Sequence, residues 1–139
     1  MRARMIAVAV EITLVLAGAC AAQENRSAKT CMDRANTQAE MNECAGQQAK
    51  ATDETLNKTY QQVLAEFKGD AAATEKVRAM ERAWLAYRDA YMEAKFPAPD
   101  KQTSYGSIFP MEFDLLRTKL TERQVEALRD LLRSEGSNP

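Results

Sequence analysis

The side chains of this chain that could do chemistry are three cysteines and a set of carboxylates, because the sequence contains no histidine. Histidine is the usual general base and the commonest metal ligand, so its absence removes both roles. Glu81 and Asp89 remain as the carboxylates that a hydrolase built on this sequence would use. Without a nucleophile and a base beside it, such a pair is weak support for catalysis. The composition therefore favours a binding protein over an enzyme, and it predicts no metal and no cofactor.

The first residues of the chain determine how the cysteines are interpreted. Arg2 and Arg4 precede an apolar stretch over residues 5–19, and small residues come directly before Cys20. A basic start, an apolar stretch and small residues are together typical of a secretory signal peptide. We therefore predict that residues 1–19 are a signal peptide, with an alternative cleavage as late as residue 21. The mature chain is predicted to lie in the periplasm or cell envelope.

An oxidising compartment gives the cysteines different roles. Cys31 and Cys44 are predicted to form a disulfide, because such bonds form and persist in exported proteins. Cys20 is left over, at the point where the predicted signal peptide ends. It is either the lipid-modified N-terminus of a lipoprotein or part of an ordinary cleavage region, and a lipid there is the only membrane attachment predicted.

Chain length and charge limit the classes of partner. Roughly 120 residues remain after cleavage, enough for one domain with a modest core. We predict a flexible arm at 20–30, a helical domain at 31–133 and a tail at 134–139. The formal net charge is −1 at pH 7, and it becomes −2 when two arginines and one glutamate leave with the signal peptide. Such a charge provides no basic surface for nucleic acid, so the predicted partner is a protein.

Apolar residues recur at helical spacing along most of the mature chain, and no alternating strand pattern of useful length occurs. Thr37 and Glu40 have the spacing of a capping box, which predicts the start of a first helix that ends near Gly69. A second helix is predicted from about residue 71 to residue 95, because Pro97 cannot donate the next backbone hydrogen bond.

The remaining part of the chain predicts a loop and two further helices. Residues 97–109 are expected to form a loop of about a dozen residues, and loops of this length are often functional. Pro110 suits the first turn of a third helix. Thr121 and Gln124 have capping-box spacing, which predicts a separate last helix. The predicted fold is all-α, a small bundle of about three to four helices held by one disulfide.

Five short motifs, taken in order, resemble those of one protein family. They are C-x-x-x-x-x-T-Q-A-E-M-N-E-C at 31–44, L-N-x-x-Y at 56–60, R-A-W-L-A-Y-R-D-A at 82–90, G-S-I at 106–108 and L-T-x-R at 120–123. The pattern resembles the LprI-type lysozyme inhibitor family, small bacterial envelope proteins that are often lipoproteins. The resemblance covers residues 31–132, nearly all of the predicted mature chain.

This resemblance implies a function that needs no catalytic group. A lysozyme inhibitor would occlude the cleft of a muramidase, where such enzymes hold their two carboxylates. The alternative is a structural or interaction module of the envelope that has no effect on lysozyme. The family usually has a second cysteine pair, and its positions hold Met92 and Leu116 here. The resemblance therefore implies that these two side chains pack near each other.

The predicted partner-binding residues are Ser104, Tyr105 and Ser107, in the predicted loop. Tyrosine offers a large contact area at low entropic cost, so we expect Tyr105 to be an exposed anchor. A plain connector whose glycine allows a turn is the alternative. Glu40, Glu43, Asp53 and Glu54 are interpreted as a solvated helix face that would also attract a basic lysozyme.

The other motif residues are interpreted as mainly structural. Trp84 is expected to anchor the core, since tryptophan at helical spacing usually does so. Arg88 and Asp89 are expected to pair with neighbouring elements. Asn57, next to an apolar face that includes Tyr60, is expected to form a buried polar link between helices.

Overall fold

A computed structural model of the chain describes residues 29–135. The predicted signal peptide and Cys20 lie outside these residues. Residues 29–34 form a short helical segment, and four further helices follow, with 3₁₀ turns at Phe67–Gly69 and Gly106–Ile108. These helices are α1 (Gln38–Glu66), α2 (Ala71–Lys95), α3 (Lys101–Tyr105) and α4 (Phe109–Glu135). Residues 29–135 contain no β-strand, so the predicted all-α fold is confirmed.

The predicted capping box begins α1. The Thr37 hydroxyl accepts a hydrogen bond from the Glu40 backbone N–H at 3.2 Å. The Glu40 carboxylate in turn accepts from the backbone N–H groups of Asn36 at 2.7 Å and Thr37 at 3.0 Å. These hydrogen bonds, the one from Asn36 first, hold the pKa of Glu40 below its ordinary value. The box therefore satisfies N–H groups that a helix start leaves without partners.

The predicted disulfide joins the short helical segment at 29–34 to α1. Cys31 and Cys44 are bonded, with their Cα atoms 5.7 Å apart. Cys44 is buried, so the bond fixes the segment against the inner side of α1. The disulfide is confirmed.

The long helices form a three-helix bundle in which α1 and α4 run in the same direction. Asn42 near the start of α1 contacts Ser107 just before α4, and Asp53 in the middle of α1 contacts Thr121. α2, which lies between them in sequence, runs in the opposite direction. α1 and α4 form the most extensive contact between helices.

Two apolar clusters stabilise the bundle. The main cluster joins all three long helices through Leu56, Val63, Val77, Val125 and Leu128. The second, here called the end cluster, lies where α2 ends and α4 begins, and its buried members are Met92, Phe96 and Leu120. Leu116 packs against the end cluster, so Met92 and Leu116 share one cluster, as the motif resemblance implied.

The prediction of separate third and last helices is wrong, because α4 is continuous from Phe109 to Glu135. Thr121 and Gln124 do not cap a helix. The buried Thr121 hydroxyl donates to the Asp53 carboxylate at 3.4 Å, and the Gln124 amide donates to the buried Glu81 carboxylate at 2.9 Å. Both side chains link α4 to another helix instead.

Within residues 29–135, no helix combines the length and the apolar character that crossing a membrane would require.

Candidate functional site

Residues 101–108 connect α2 to α4 and form the candidate site, here called the platform. The prediction of a loop over residues 97–109 is wrong for this part, which is the short helix α3 followed by a 3₁₀ turn. Asp100 begins α3, since its carboxylate accepts from the Thr103 backbone N–H at 3.0 Å and from the Thr103 hydroxyl at 2.7 Å. The two bonds, the backbone one first, hold the pKa of Asp100 below its ordinary value.

The long helices fix the platform at both of its ends. The Lys101 ammonium donates to the Glu93 carboxylate of α2 at 2.9 Å. The Asn42 amide of α1 donates to the Ser107 carbonyl at 3.0 Å. The platform is therefore tied to both α1 and α2 by side-chain contacts, and α4 continues directly from it.

Tyr105 supports the platform from beneath, and its predicted exposure needs correction. The side chain is half-buried and packs against the end cluster. Its ring centroid lies 5.5 Å from that of Phe96 and 5.7 Å from that of Phe109. Its hydroxyl accepts from the Ala98 backbone N–H at 3.1 Å. Because part of the side chain stays accessible, Tyr105 can both hold the platform and contact a partner at its edge.

The outward side of the platform is uncharged. Ser104 and Ser107 are exposed, as is Ile108, at 39% of its full surface. Gly106 has φ +72°, a conformation that side chains disfavour, and it turns the chain from α3 into the 3₁₀ turn. Ile108 belongs to the G-S-I motif, but the sequence did not single it out as a partner-binding residue, although an apolar residue directly after Gly106 and Ser107 was a visible signal.

An acidic side chain lies close to this uncharged surface in sequence. Glu112, in the first turn of α4 and four residues after Ile108, is exposed. Glu43 is also exposed, but it lies beside Cys31 and Arg34 of the disulfide-bonded segment. A cationic partner approaching the platform would meet the Glu112 carboxylate at its edge and the uncharged side chains at its centre.

The tryptophan motif lies on α2, outside the platform. Trp84 is half-buried against the main cluster. The Arg88 guanidinium lies 5.1 Å from the centroid of the Trp84 ring and forms an ion pair with Asp89 at 3.1 Å. The two residues therefore pair with each other on α2, and the predicted pairing with neighbouring elements is wrong for this ion pair. Tyr60 packs against the same cluster. Asn57, however, is exposed on α1, so the buried polar link predicted for it is not present.

The two carboxylates considered for hydrolysis lie in different environments. Glu81 is buried and accepts from Gln124, whereas the Asp89 side chain is 70% exposed. Eight residues of one helix separate them, about 12 Å along its axis. In the part of the chain that the structure describes, no group of three acidic, cysteine or histidine side chains is placed to hold a metal.

Removing the Tyr105 ring is expected to destabilise the protein. Tyr105→Ala should lower the free energy of unfolding by about 2 kcal/mol, below the usual cost of truncating a fully buried aromatic because this ring is half-buried. Tyr105→Phe should cost about 1 kcal/mol, since only the hydrogen bond from Ala98 is lost. Urea denaturation followed by circular dichroism measures both. Equal stability of the alanine variant and the wild type would contradict the supporting role.

Known proteins match this chain over nearly all of the residues that the structure describes. The family profile described as "Lysozyme inhibitor LprI" matches residues 31–128. An uncharacterized protein of Rhizobium meliloti (strain 1021) is 32% identical over 142 residues, which cover 94% of this chain and 98% of that protein. No solved structure matches the chain. The matched range includes the disulfide, the tryptophan motif and the platform.

Proposed function

Because this chain belongs to the LprI lysozyme inhibitor family, we propose that it is an exported binding protein that inhibits a lysozyme-type muramidase by occluding the substrate cleft. The family is one of inhibitors and not of catalysts, which agrees with a chain that has no histidine. The predicted signal peptide would direct export of the chain, and a lipid at Cys20 would anchor the mature protein in the envelope. There it meets a muramidase before the cell wall is cut.

The observation that carries this proposal is the fixed backbone of the platform. Asp100 caps it, Lys101 and Asn42 tie it to α2 and α1, and an aromatic cluster lies beneath it. A segment held in its bound conformation loses little conformational entropy on association. Rigid helices that present a short exposed segment are therefore well suited to protein recognition.

The charge distribution of the platform suits the cleft of a muramidase. Such a cleft contains two carboxyl groups, which would repel an acidic segment. The exposed side chains of Ser104, Ser107 and Ile108 carry no charge, and the serine hydroxyls can donate hydrogen bonds to carboxylates. Glu112, next to the platform, and the other exposed carboxylates such as Glu43 would attract the basic outer surface of an animal-type lysozyme and speed association.

Inhibition of this kind requires no covalent step. The platform would fill space that the polysaccharide needs, and the complex would be reversible. A turbidity assay with purified mature protein, a muramidase and bacterial cell walls tests the proposal. We expect lysis to fall with inhibitor concentration and to reach its minimum at one inhibitor per enzyme. No inhibition of several muramidases would favour the alternative, an envelope interaction module without an effect on lysozyme.

Replacing Ile108 with aspartate should weaken inhibition by about thirtyfold. Interface energy is concentrated in a few side chains near the centre of the contact, and losing one of these costs about 2 kcal/mol or more. The new carboxylate would also face the carboxyl groups of the cleft. The inhibition constant from the turbidity assay measures the effect, with circular dichroism to confirm that the variant is folded.

Leu85→Asp is a matched control for this variant. Leu85 is 37% exposed, compared with 39% for Ile108, and the substitution changes the net charge by the same amount. Leu85 lies on α2, about 12 Å along the helix from the Glu93 side chain that contacts the platform. We expect it to leave the inhibition constant unchanged. Equal inhibition by both aspartate variants would place the contact elsewhere on the protein.

A further inference from the structure

The outer side of α2 presents an apolar face to which no other described element is packed. Tyr87 and Tyr91 are 55% and 43% exposed, and their ring centroids lie 5.9 Å apart. Exposed alanines continue this face along the helix at intervals of three or four residues, namely Ala79, Ala83, Ala86, Ala90 and Ala94. The opposite side of α2 contributes the buried residues Val77, Glu81 and Met92.

The order of residues on this outer face is nearly symmetric about its centre. If two copies of α2 are placed antiparallel with a twofold axis between Ala86 and Tyr87, Ala83 lies opposite the partner's Ala90. In the same arrangement, Ala79 lies opposite the partner's Ala94. On either side of the centre, small side chains therefore face small side chains. At the centre, Tyr87 lies close to the partner's Tyr87, beside the alanines. A twofold interface requires such self-complementarity, because each surface must fit a copy of itself.

The charges beside the alanines are complementary in the same arrangement. Arg78 and Arg82 lie in the first half of α2, and Asp89 and Glu93 lie in the second half, on the same flank. Antiparallel pairing brings Arg82 close to the partner's Asp89, and Arg78 close to the partner's Glu93. A parallel twofold arrangement would place the two charged flanks on opposite sides of the contact, so Arg82 and the partner's Asp89 would not meet. The alanines match in either direction, so the charges decide between the two arrangements.

The ion pairs within one copy do not oppose the antiparallel pairing of two copies. Arg82 pairs with Glu75, Asp89 with Arg88 and Glu93 with Lys101 within one copy. The side chains of Arg82, Asp89 and Glu93 are all more than half exposed. Exposed pairs contribute little to stability, so Arg82 and Asp89 exchange partners readily. Glu93 can keep Lys101 on one carboxylate oxygen and meet the partner's Arg78 with the other.

We propose that the outer face of α2 binds the same face of a second copy, in an antiparallel twofold dimer. The platform lies beyond the C-terminal end of α2, so antiparallel pairing places the two platforms at opposite ends of the dimer. Neither platform is covered, and each copy keeps its candidate binding surface. The dimer does not depend on the proposed inhibition of lysozyme, because the two surfaces are separate.

Sedimentation equilibrium of the mature chain over a range of micromolar concentrations tests the dimer. We expect a reversible monomer–dimer equilibrium for the wild type. Ala90→Glu should raise the dimer dissociation constant at least about tenfold, because it buries an unpaired charge in the contact. Ala127→Glu is the matched control, since it makes the same substitution at an exposed position of α4. That variant should dimerise like the wild type.

A charge exchange tests the antiparallel register. Arg82→Glu and Asp89→Arg should each weaken the dimer, and the double variant should restore it, because each copy then carries the exchanged pair. Thermal melting followed by circular dichroism verifies that every variant is folded. A monomeric wild type at all concentrations would overturn the proposal. Dimerisation of Ala90→Glu at wild-type strength, or a failure of the double variant to recover, would overturn it as well.

Discussion

Replacing Cys44 with serine is expected to lower the free energy of unfolding by about 2–5 kcal/mol, the usual cost of losing a native disulfide from a small exported domain. The bond joins residues that are 13 apart in sequence. In the chain-entropy description, closing a loop of this size restricts the unfolded chain by about 3 kcal/mol. The bond also fixes the helical segment 29–34 against α1.

Two measurements separate the disulfide from other effects of the substitution. Alkylation without reductant followed by mass spectrometry should label neither Cys31 nor Cys44 in the wild type. Urea denaturation should then show a lower midpoint for Cys44→Ser and for Cys31→Ser by similar amounts. If only Cys44→Ser is destabilised, the cause is the hydroxyl at the buried position of Cys44 and not the loss of the bond.

Local sequence signals predicted the first two long helices well. The capping box of Thr37 and Glu40 begins α1 as expected. α2 occupies the predicted residues 71–95, because Asp70 caps its first turn and Pro97 prevents its continuation. In both cases the determining contacts are made between residues close in sequence, so the sequence alone contains the necessary information.

The misprediction in α4 shows where such signals fail. Thr121 and Gln124 match the capping-box spacing as well as Thr37 and Glu40 do. Their side chains, however, bond to Asp53 and Glu81 on other helices. A short polar pattern fits both a helix start and a pair of contacts between helices. Only the position of α1 and α2 relative to α4 decides between them.

The platform was located from the sequence, but its structure was not. The spacing of Asp100 and Thr103 was a local signal for the start of α3, and it was overlooked. The burial of Tyr105 could not be predicted from a local sequence signal of this kind. It depends on Phe96 and Phe109 meeting after the chain reverses direction between α2 and α4. That reversal is a tertiary feature, so the sequence identified the segment without showing which of its side chains face outward.

Truncating Leu128 is expected to have the largest effect on stability among single apolar substitutions at the centre of the bundle. Leu128 is fully buried and belongs to the main cluster, where α4 meets α1 and α2. Leu128→Ala should therefore lower the free energy of unfolding by about 3–5 kcal/mol, from lost burial and from the cavity left behind. Leu115→Ala makes the same change on the same helix at a position that is 37% exposed, and it should cost less than about 1 kcal/mol.

Leu128→Ala also separates the stability of the bundle from the function of the platform. Leu128 lies 20 residues beyond Ile108, about 30 Å along α4. At a temperature where Leu128→Ala remains folded, we expect its inhibition constant to equal that of the wild type, whereas Ile108→Asp should retain stability and lose inhibition. If Leu128→Ala weakens inhibition while folded, the platform depends on the whole bundle. The contact assigned to its exposed side chains would then have to include the far end of α4.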